Sequence, residues 1–367
     1  MPLSHRATAD SPRCGRENNA RSRTRIDFHR EQLLGSAALM PRIETPFTKA
    51  VGIDVPLICG AMYPCSNPEL VAATSAAGGI GIVQPISMIY AHGHDLRAGL
   101  RMIRALTDRP IGFNAIVEQS SKTYEDRMKQ WVDVALEEGV RFFVTALGKP
   151  RWVVDKVHAV GGIVYHDVTE RKWAMRALEH DVDGLICVNA RAGGHAGERS
   201  PTTLFAELQD LGVPLICAGG IGSPERFAEA LEIGYAGVQM GTRFIASTEC
   251  SAHSDYKQAI VRAQADDIVL TERISGVPVA VIKTPYIEKT GTKAGFIAKR
   301  MLRHPRLKHY MRMIYSLRSA WQLRRASTKG AGYRDFWQAG KSVDGVAAIE
   351  PAATIIERFA AAVDPPL

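Results

Sequence analysis

One histidine lies beside two glycines, directly after a predicted buried strand. Gly184–Asn189 is an apolar, β-branched run, and Gly193, Gly194 and His195 follow it. Glycine has no Cβ, so the backbone can approach a flat or anionic ligand closely. The imidazole of His195 has an ordinary pKa near neutrality and could exchange a proton with such a ligand. An isolated Gly-Gly-His could equally be a surface turn, so its interpretation depends on the surrounding sequence.

Two further glycine turns follow later apolar runs. Gly219 and Gly220 precede a predicted helix that begins at Ser223, and Gly241 and Thr242 follow the last run of the series. Barrels bind phosphate groups on loops of this kind, after their seventh and eighth strands and at a helix N-terminus. The two turns therefore predict a cofactor or substrate that carries a phosphate.

The elements that position these residues alternate regularly between strands and helices. Apolar runs of strand length predict eight buried parallel strands, at Pro56–Gly60, Ile80–Gln84, Ile111–Val117, Phe142–Leu147, Ile163–Val168, Gly184–Asn189, Pro214–Gly219 and Gly237–Gly241. Helical patterns fall between them, at Asn67–Ala77, Asp95–Thr107, Tyr124–Glu138, Arg151–Val160, Glu170–His180, Pro201–Leu211 and Pro224–Ile233. This order predicts an α/β fold, a (β/α)₈ TIM barrel, and disfavours an open sheet because no dinucleotide glycine motif follows the first strand.

The residues just after barrel strands line one mouth, where active sites lie. Besides the three glycine loops, these positions include Gly60, Ala61, Met62 and Asn114. They contain no cluster of histidines and carboxylates at metal-ligand spacing, so the sequence predicts no catalytic metal.

Composition narrows the class of protein. A chain of 367 residues with 46% hydrophobic residues can bury a large single core. The sequence contains no run of about eighteen uncharged apolar residues, so it predicts no membrane span. The six cysteines are scattered without metal-ligand pairing, and Cys59, Cys187 and Cys217 fall in apolar runs, which predicts a reducing cytoplasmic location.

The net charge of +8 is unevenly distributed. Residues 289–334 hold 13 Lys and Arg and no Asp or Glu, whereas residues 1–39 hold seven Arg against four acids. The rest of the chain is therefore acidic. The basic segment could be a solvated face, attract anionic substrates, or dock an acidic carrier protein. Nucleic-acid binding is the weaker alternative, because few aromatic residues interrupt the basic run.

The same features suggest four segments. Residues 1–39 are predicted to be a disordered basic extension, and residues 40–264 the barrel. Residues 265–332 are predicted to form a helical, basic lid or subdomain, within which residues 269–285 are β-prone. Residues 333–367 are predicted to return to the barrel and to end in a helix from about Glu350 to Ala362.

Four stretches resemble the flavin-dependent nitronate monooxygenase family, formerly called 2-nitropropane dioxygenases. They are Pro56–Met62, Ala190–Glu198, Val213–Ile221 and Gly237–Glu249. The family shares its fold with flavin-type enoyl-acyl-carrier-protein reductases and some NADH:quinone reductases. The glycine-histidine and Met-Gly-Thr-Arg-Phe stretches, in this order, make the resemblance specific over roughly residues 45–362.

The resemblance implies FMN bound non-covalently at the barrel mouth. Residues at the ends of the first and third strands would contact the flavin ring, namely Gly60, Ala61, Met62 and Asn114. Residues of the glycine loops would hold the ribityl phosphate and its surroundings, namely Gly193, Gly194, Gly219, Gly220, Gly241 and Thr242. His195 would take a proton from a nitroalkane or orient its nitronate.

Two positions depart from the family pattern. His166 and Asp167 stand where relatives often place a basic or small polar residue. An Asp beside the flavin would oppose an anionic reduced ring, unless it caps the following helix instead. Lys341 replaces a glutamine and could pair with a phosphate or lie at the surface.

The expected function is therefore oxidation of alkyl nitronates with O₂ by an FMN-dependent oxidoreductase. The alternative on the same scaffold is an NAD(P)H-dependent reductase of an enoyl thioester or a quinone, for which NAD(P)H would be the reductant. The expected partner is a small-molecule substrate and not a nucleic acid. A homodimer is compatible with the sequence, which leaves the substrate and oligomeric state open.

Overall fold

The computed structural model describes residues 42–118, 122–272, 277–293, 325 and 336–363. The predicted extension, residues 1–39, lies outside the described residues, as does most of the basic segment 289–334. The predictions for those two segments therefore stay predictions.

Eight parallel strands close into a barrel in chain order, and the last pairs with the first. The strands are β1 (Leu57–Cys59), β2 (Ile80–Val83), β3 (Gly112–Ile116), β4 (Phe142–Ala146), β5 (Ile163–Val168), β6 (Gly184–Val188), β7 (Leu215–Ala218) and β8 (Gly237–Met240). Each overlaps one predicted strand, and the predicted TIM barrel is confirmed.

The helices include α1, which precedes the barrel, α2 to α8, which connect its strands, and four that follow it. They are α1 (Pro46–Val51), α2 (Pro68–Ala76), α3 (Leu96–Leu106), α4 (Lys122–Glu137), α5 (Arg151–His158), α6 (Arg171–Leu178), α7 (Pro201–Leu208), α8 (Pro224–Ile233), α9 (Thr242–Ile245), α10 (Ser254–Arg262), α11 (Pro285–Thr290) and α12 (Ala352–Ala360). Side-chain caps start several of them: Asp95 accepts a hydrogen bond from the Ala98 amide, and Ser200 from the Thr203 amide. A π-helical turn at Ser87–Ala91 was not predicted.

An aromatic cluster closes the N-terminal end of the barrel. Phe47, from α1, packs against Phe142 and Tyr165 with ring centroids 5.6 Å from each, and Phe142 and Tyr165 are 5.3 Å apart. All three side chains are buried in the interior of the barrel. The C-terminal end, where the predicted site residues lie, is therefore the mouth of the barrel.

Two segments after the barrel pack on this mouth. Strands β9 (Ile268–Thr271) and β10 (Val279–Ile282) form an antiparallel pair, so the β-prone part of the predicted helical subdomain is a small sheet. Ala280 of β10 bridges Gly194, and Val281 bridges Gln338 of the C-terminal segment. The division of the chain into four segments remains a prediction.

No helix among the described residues is both long and apolar enough to cross a membrane. Within the same residues, no three His, Cys, Asp or Glu side chains are grouped so that they could hold a metal ion.

Candidate active site

The predicted site residues lie on the loops that follow four strands or, for one residue, within a fifth strand. Gly60, Ala61 and Met62 follow β1, and Asn114 lies in β3. The remainder lie after β6, β7 and β8, at Gly193, Gly194, His195, Gly219, Gly220, Gly241 and Thr242.

A buried asparagine joins the loops after β6 and β7. Asn189 is fully buried, and its Nδ2 donates a hydrogen bond of 2.9 Å to the carbonyl of Gly219. Its Oδ1 accepts one of 2.8 Å from the Arg191 amide. Sequence reasoning missed this residue, although a polar side chain at the end of an apolar run was a visible signal. Asn189 fixes the position of the histidine loop relative to the second glycine turn.

The histidine loop is held by two segments that are distant in sequence. The carbonyl of Gly194 accepts a hydrogen bond of 2.8 Å from the Ala280 amide of β10. Gly193 lies so close to Gly340 that an added Cβ would be 2.9 Å from the Gly340 nitrogen. The Lys341 amide donates to the carbonyl of Arg191 at 2.9 Å. These contacts hold the histidine loop against β10 and against the C-terminal segment.

His195 lies on this loop, and its side chain is exposed. Partial desolvation at the barrel mouth lowers its pKa from the ordinary histidine value. A lowered pKa keeps the imidazole neutral at neutral pH, and a neutral imidazole can accept a proton. A neutral imidazole at this position is therefore suited to act as a general base.

Gly219 and Gly220 form a turn that packs against an arginine. Both glycines adopt positive φ, at 118° and 81°, which an L side chain rarely tolerates. Their amides donate to no acceptor within the described part of the chain. The Arg191 guanidinium packs on Gly220, where an added Cβ would be 2.6 Å from Nε. That buried Nε has no hydrogen-bond partner in the described chain.

Sequence reasoning also missed Arg191, which lies within the quoted histidine stretch but was given no role. Its cationic group and the two glycine amides converge from β6 and β7. Guanidinium and backbone N–H groups together are the donors that bind phosphate.

The loops after β8 and β1 meet beside the Gly219–Gly220 turn, because β8 is the neighbour of β7. The Gly60 amide donates to the Met240 carbonyl at 2.9 Å, and a Cβ on Gly241 would be 3.3 Å from the Met62 sulfur. Thr242 Oγ1 accepts a hydrogen bond of 3.0 Å from the Gly340 amide. The Thr242 hydroxyl therefore helps to hold the C-terminal segment, a role that its sequence position did not suggest.

Two polar side chains point into the barrel just below these loops. Asn114 is 7% exposed and makes no side-chain hydrogen bond to a described residue. Asp167 lies on the interior face of β5. The alternative in which Asp167 caps the next helix is wrong, because α6 begins at Arg171 with Glu170 as its N-cap residue.

Lys341 is exposed, and only its backbone amide contacts the histidine loop. A different cation anchors the C-terminal segment. Arg243 is fully buried and contacts Glu350 at 2.7 Å and the Ala348 carbonyl at 2.8 Å. Burial lowers the pKa of Arg243 to about 10, so the ion pair persists at neutral pH.

The mouth has the features expected of a site for a planar ring with an anionic tail. Gly60 and Gly241 lie at this mouth, while Asn114 supplies an amide with no hydrogen-bond partner among the described residues. The tail would reach the Gly219–Gly220 turn and Arg191. This donor set fits FMN, the group that the sequence resemblance implied.

Known proteins resemble this chain over most of its length. The family model described as nitronate monooxygenase matches residues 44–361, which is most of the chain. A solved structure of FabK from Thermotoga maritima superposes with a TM-score of 0.72 at 30% sequence identity, and the match covers 87% of this chain and 96% of that one.

Curated relatives carry two kinds of name. A (3aS,4S,5R,7aS)-5-hydroxy-7a-methyl-1-oxo-octahydro-1H-indene-4-carboxyl-CoA dehydrogenase from Mycobacterium tuberculosis is 31% identical, over 70% of this chain and 72% of its own length. A nitronate monooxygenase from Pseudomonas aeruginosa is 29% identical, over 63% of this chain and 77% of its own length.

Proposed function

The chain belongs to the nitronate monooxygenase family, and we propose that it binds FMN at the barrel mouth and oxidises alkyl nitronates with O₂. Family membership makes it a flavin-dependent oxidoreductase. The finer statements, namely FMN as the particular flavin, the site residues and the nitronate substrate, are the proposal. One observation carries this proposal: the Gly219–Gly220 turn with Arg191 lies at the same mouth as His195.

The phosphate of FMN would bind where Gly219, Gly220 and Arg191 converge. Arg191 Nε has no hydrogen-bond partner within the described residues, and a phosphate would supply both an acceptor and a countercharge. Charge-assisted hydrogen bonds of this kind are worth about 1.5–3 kcal/mol each. The ring would then extend across Gly60, Ala61 and Met62 toward Asn114.

His195 would handle the proton or the charge of the substrate. Its neutral imidazole accepts a proton from the carbon next to the nitro group of a nitroalkane, which converts that carbon acid into a nitronate. With a preformed nitronate, the same side chain orients the anion over the site. When it is bound, FMN supplies the electron acceptor for the substrate and the site of reaction with O₂.

The phosphate assignment can be tested with two ligands that differ only in the phosphate, FMN and riboflavin. We expect Arg191→Met to weaken FMN binding by about tenfold or more and to leave riboflavin binding unchanged. Arg199→Met is the matched control, because Arg199 lies in the same loop but pairs with Glu207 at 2.8 Å. Equal weakening of both ligands would contradict a phosphate contact at Arg191.

A second candidate is a reductase or dehydrogenase that acts on an acyl thioester. It is favoured by the name of the 31%-identical relative, a carboxyl-CoA dehydrogenase. The cationic segment 289–334 would attract the phosphates of coenzyme A or NAD(P)H. The two candidates differ in the compound that reduces the bound flavin without oxygen: a nitronate for the first, and NAD(P)H or an acyl thioester for the second.

A further inference from the structure

Asp167 occupies the interior face of β5, close to the mouth. It pairs in register with Ile186 of β6, which belongs to the apolar cluster inside the barrel. It also follows Tyr165 by two residues, and the Tyr165 ring lies in the same interior cluster. Side chains alternate across a strand, so Asp167 shares the interior face and lies one layer nearer the mouth.

One oxygen of the Asp167 carboxyl group has no hydrogen-bond partner among the described residues. Its Oδ1 is completely buried and accepts no hydrogen bond from any residue that the structure describes. The interior positions of the adjoining strands are Val144 and Ala146 in β4 and Ile186 and Val188 in β6, none of which is charged. An ionised carboxylate in such surroundings is costly unless a ligand pairs with it.

Depth distinguishes Asp167 from His195. His195 is exposed on its loop, whereas the Asp167 oxygen is buried below it and Asn114, at 7% exposure, lies on the interior face of β3. A ligand that reaches Asp167 must form the inner layer of the site. A substrate that reaches His195 can occupy the outer layer.

We propose that Asp167 is a further ligand-binding residue, whose carboxyl group forms a hydrogen bond with the polar edge of the flavin ring. This inference rests on the proposed function. The polar edge of a flavin presents one N–H donor, at N3, and several acceptors, namely its two carbonyl oxygens and the ring nitrogens N1 and N5. These acceptors can take a hydrogen bond from a protonated carboxyl. An ionised carboxylate would instead repel those acceptors and any negative charge on the reduced ring.

The proton of this carboxyl is then linked to flavin binding. Burial raises the pKa of Asp167 to about 7, so the carboxyl is largely ionised in the free protein at higher pH. If flavin binds the protonated form, each complex formed above that pH must take up a proton. The dissociation constant should then rise by about tenfold per pH unit above pH 7.

The test is a titration of the flavin-free full-length protein with FMN between pH 7 and pH 9, followed by flavin fluorescence. We expect the tenfold-per-unit weakening in the wild type. Asp167→Asn keeps the shape and a hydrogen-bond donor but cannot ionise. The dissociation constant of FMN from this variant should therefore not change between pH 7 and pH 9. Asp155→Asn is the matched control, because Asp155 lies at the surface of α5 and pairs with Arg151 at 3.0 Å; it should follow the wild type.

A second measurement needs no variant. The infrared difference spectrum of the wild-type protein at pH 8, with and without FMN, should gain the carbonyl stretch of a protonated carboxyl on binding. Three results would each overturn the role of Asp167. The first is an FMN dissociation constant that does not change with pH in the wild type, and the second is an equal pH dependence in Asp167→Asn and the wild type. The third is an infrared spectrum that gains no protonated carboxyl. A wild-type protein that binds no FMN would instead overturn the proposed function.

Discussion

The two ends of the barrel use polar and apolar side chains in opposite ways. At the N-terminal end, Phe47 and its aromatic neighbours fill the interior, and polar groups are paired: Thr45 and Thr48 form a capping box, and Asp183 accepts from the Val164 amide at 2.7 Å. At the mouth, Asp167 Oδ1 and Arg191 Nε are buried without a hydrogen-bond partner in the described chain.

This difference separates stability from function within one fold. Buried polar groups in proteins are nearly always hydrogen-bonded, so unpaired ones need an explanation. A closed aromatic end stabilises the barrel without any ligand. An end with unpaired donors and acceptors is instead suited to a ligand that completes their hydrogen bonds. Changes at the two ends should therefore affect different measurements.

The largest effect is expected at the mouth, from His195→Asn. The variant removes the base but leaves the glycine turns intact, so flavin content should match the wild type. Turnover of a neutral nitroalkane should fall by about 10²–10⁴-fold, the usual contribution of a general base. Turnover and flavin absorbance would be measured on the same sample. Unchanged turnover would remove His195 from the mechanism.

At the opposite end, Phe47→Ala should lower stability without affecting the site. Removal of a fully buried phenylalanine costs about 3–5 kcal/mol of the free energy of unfolding. Urea unfolding would measure this loss. The FMN dissociation constant of the folded variant should stay within about twofold of the wild type, since Phe47 lies at the far end. A large change in FMN affinity would show that the two ends are not independent.

A third variant, Gly220→Leu, should weaken flavin binding without unfolding the barrel. Its Cβ would lie 2.6 Å from Arg191 Nε, at a residue whose φ is 81°. Displacement of the guanidinium should weaken FMN binding by about tenfold or more. Gly161→Ala is the matched control, with a positive φ of 70° but no atom within 4 Å of the added Cβ. A Gly220→Leu protein that is as yellow as the control would contradict the phosphate assignment.

The smallest effect concerns pH and two adjacent residues of β5. Burial lowers the pKa of His166 to about 4, while the pKa of Asp167 is raised to about 7. Between pH 6.5 and 5.5 the unfolded chain binds more protons than the native one at His166, so acid destabilises the protein. At Asp167 the native chain binds more protons, so acid stabilises it. The two contributions oppose each other.

Replacing either residue should reveal the contribution of the other. His166→Asn should gain about 1 kcal/mol of stability on acidification from pH 6.5 to 5.5, and Asp167→Asn should lose about the same amount. Urea unfolding at both pH values would measure these changes in flavin-free protein. Identical pH slopes in both variants would contradict the opposite environments of the two faces of β5.

The barrel could be predicted from the sequence because each of its strands is a short apolar run, which can be recognised from its own residues alone. All eight lie within a residue or two of the predicted positions, and the glycine loops follow as expected. Contacts between distant segments were not predictable in this way. The approach of Gly340 to Gly193, the Thr242–Gly340 hydrogen bond and the bridge from Ala280 to Gly194 depend on how the chain returns to the barrel.

Individual side chains at the site show the same limit. His195 was identified from its glycine neighbours, but nothing in the local pattern assigned Arg191 to the Gly220 turn. Asp167 was noticed only as a departure from a family pattern, and its orientation required the register of β5 with β6. Tertiary pairing, rather than local sequence, determines which polar groups stay unpaired.

The central claim is that the mouth binds FMN and passes electrons to it from a nitronate. The most direct test is an absorption spectrum of the purified protein, followed by anaerobic addition of propyl nitronate and of NADPH in separate cuvettes. We expect a flavin spectrum that is bleached by the nitronate. Bleaching by NADPH alone would contradict the nitronate assignment and favour the reductase, and the absence of a flavin spectrum even after adding FMN would contradict the flavin site itself.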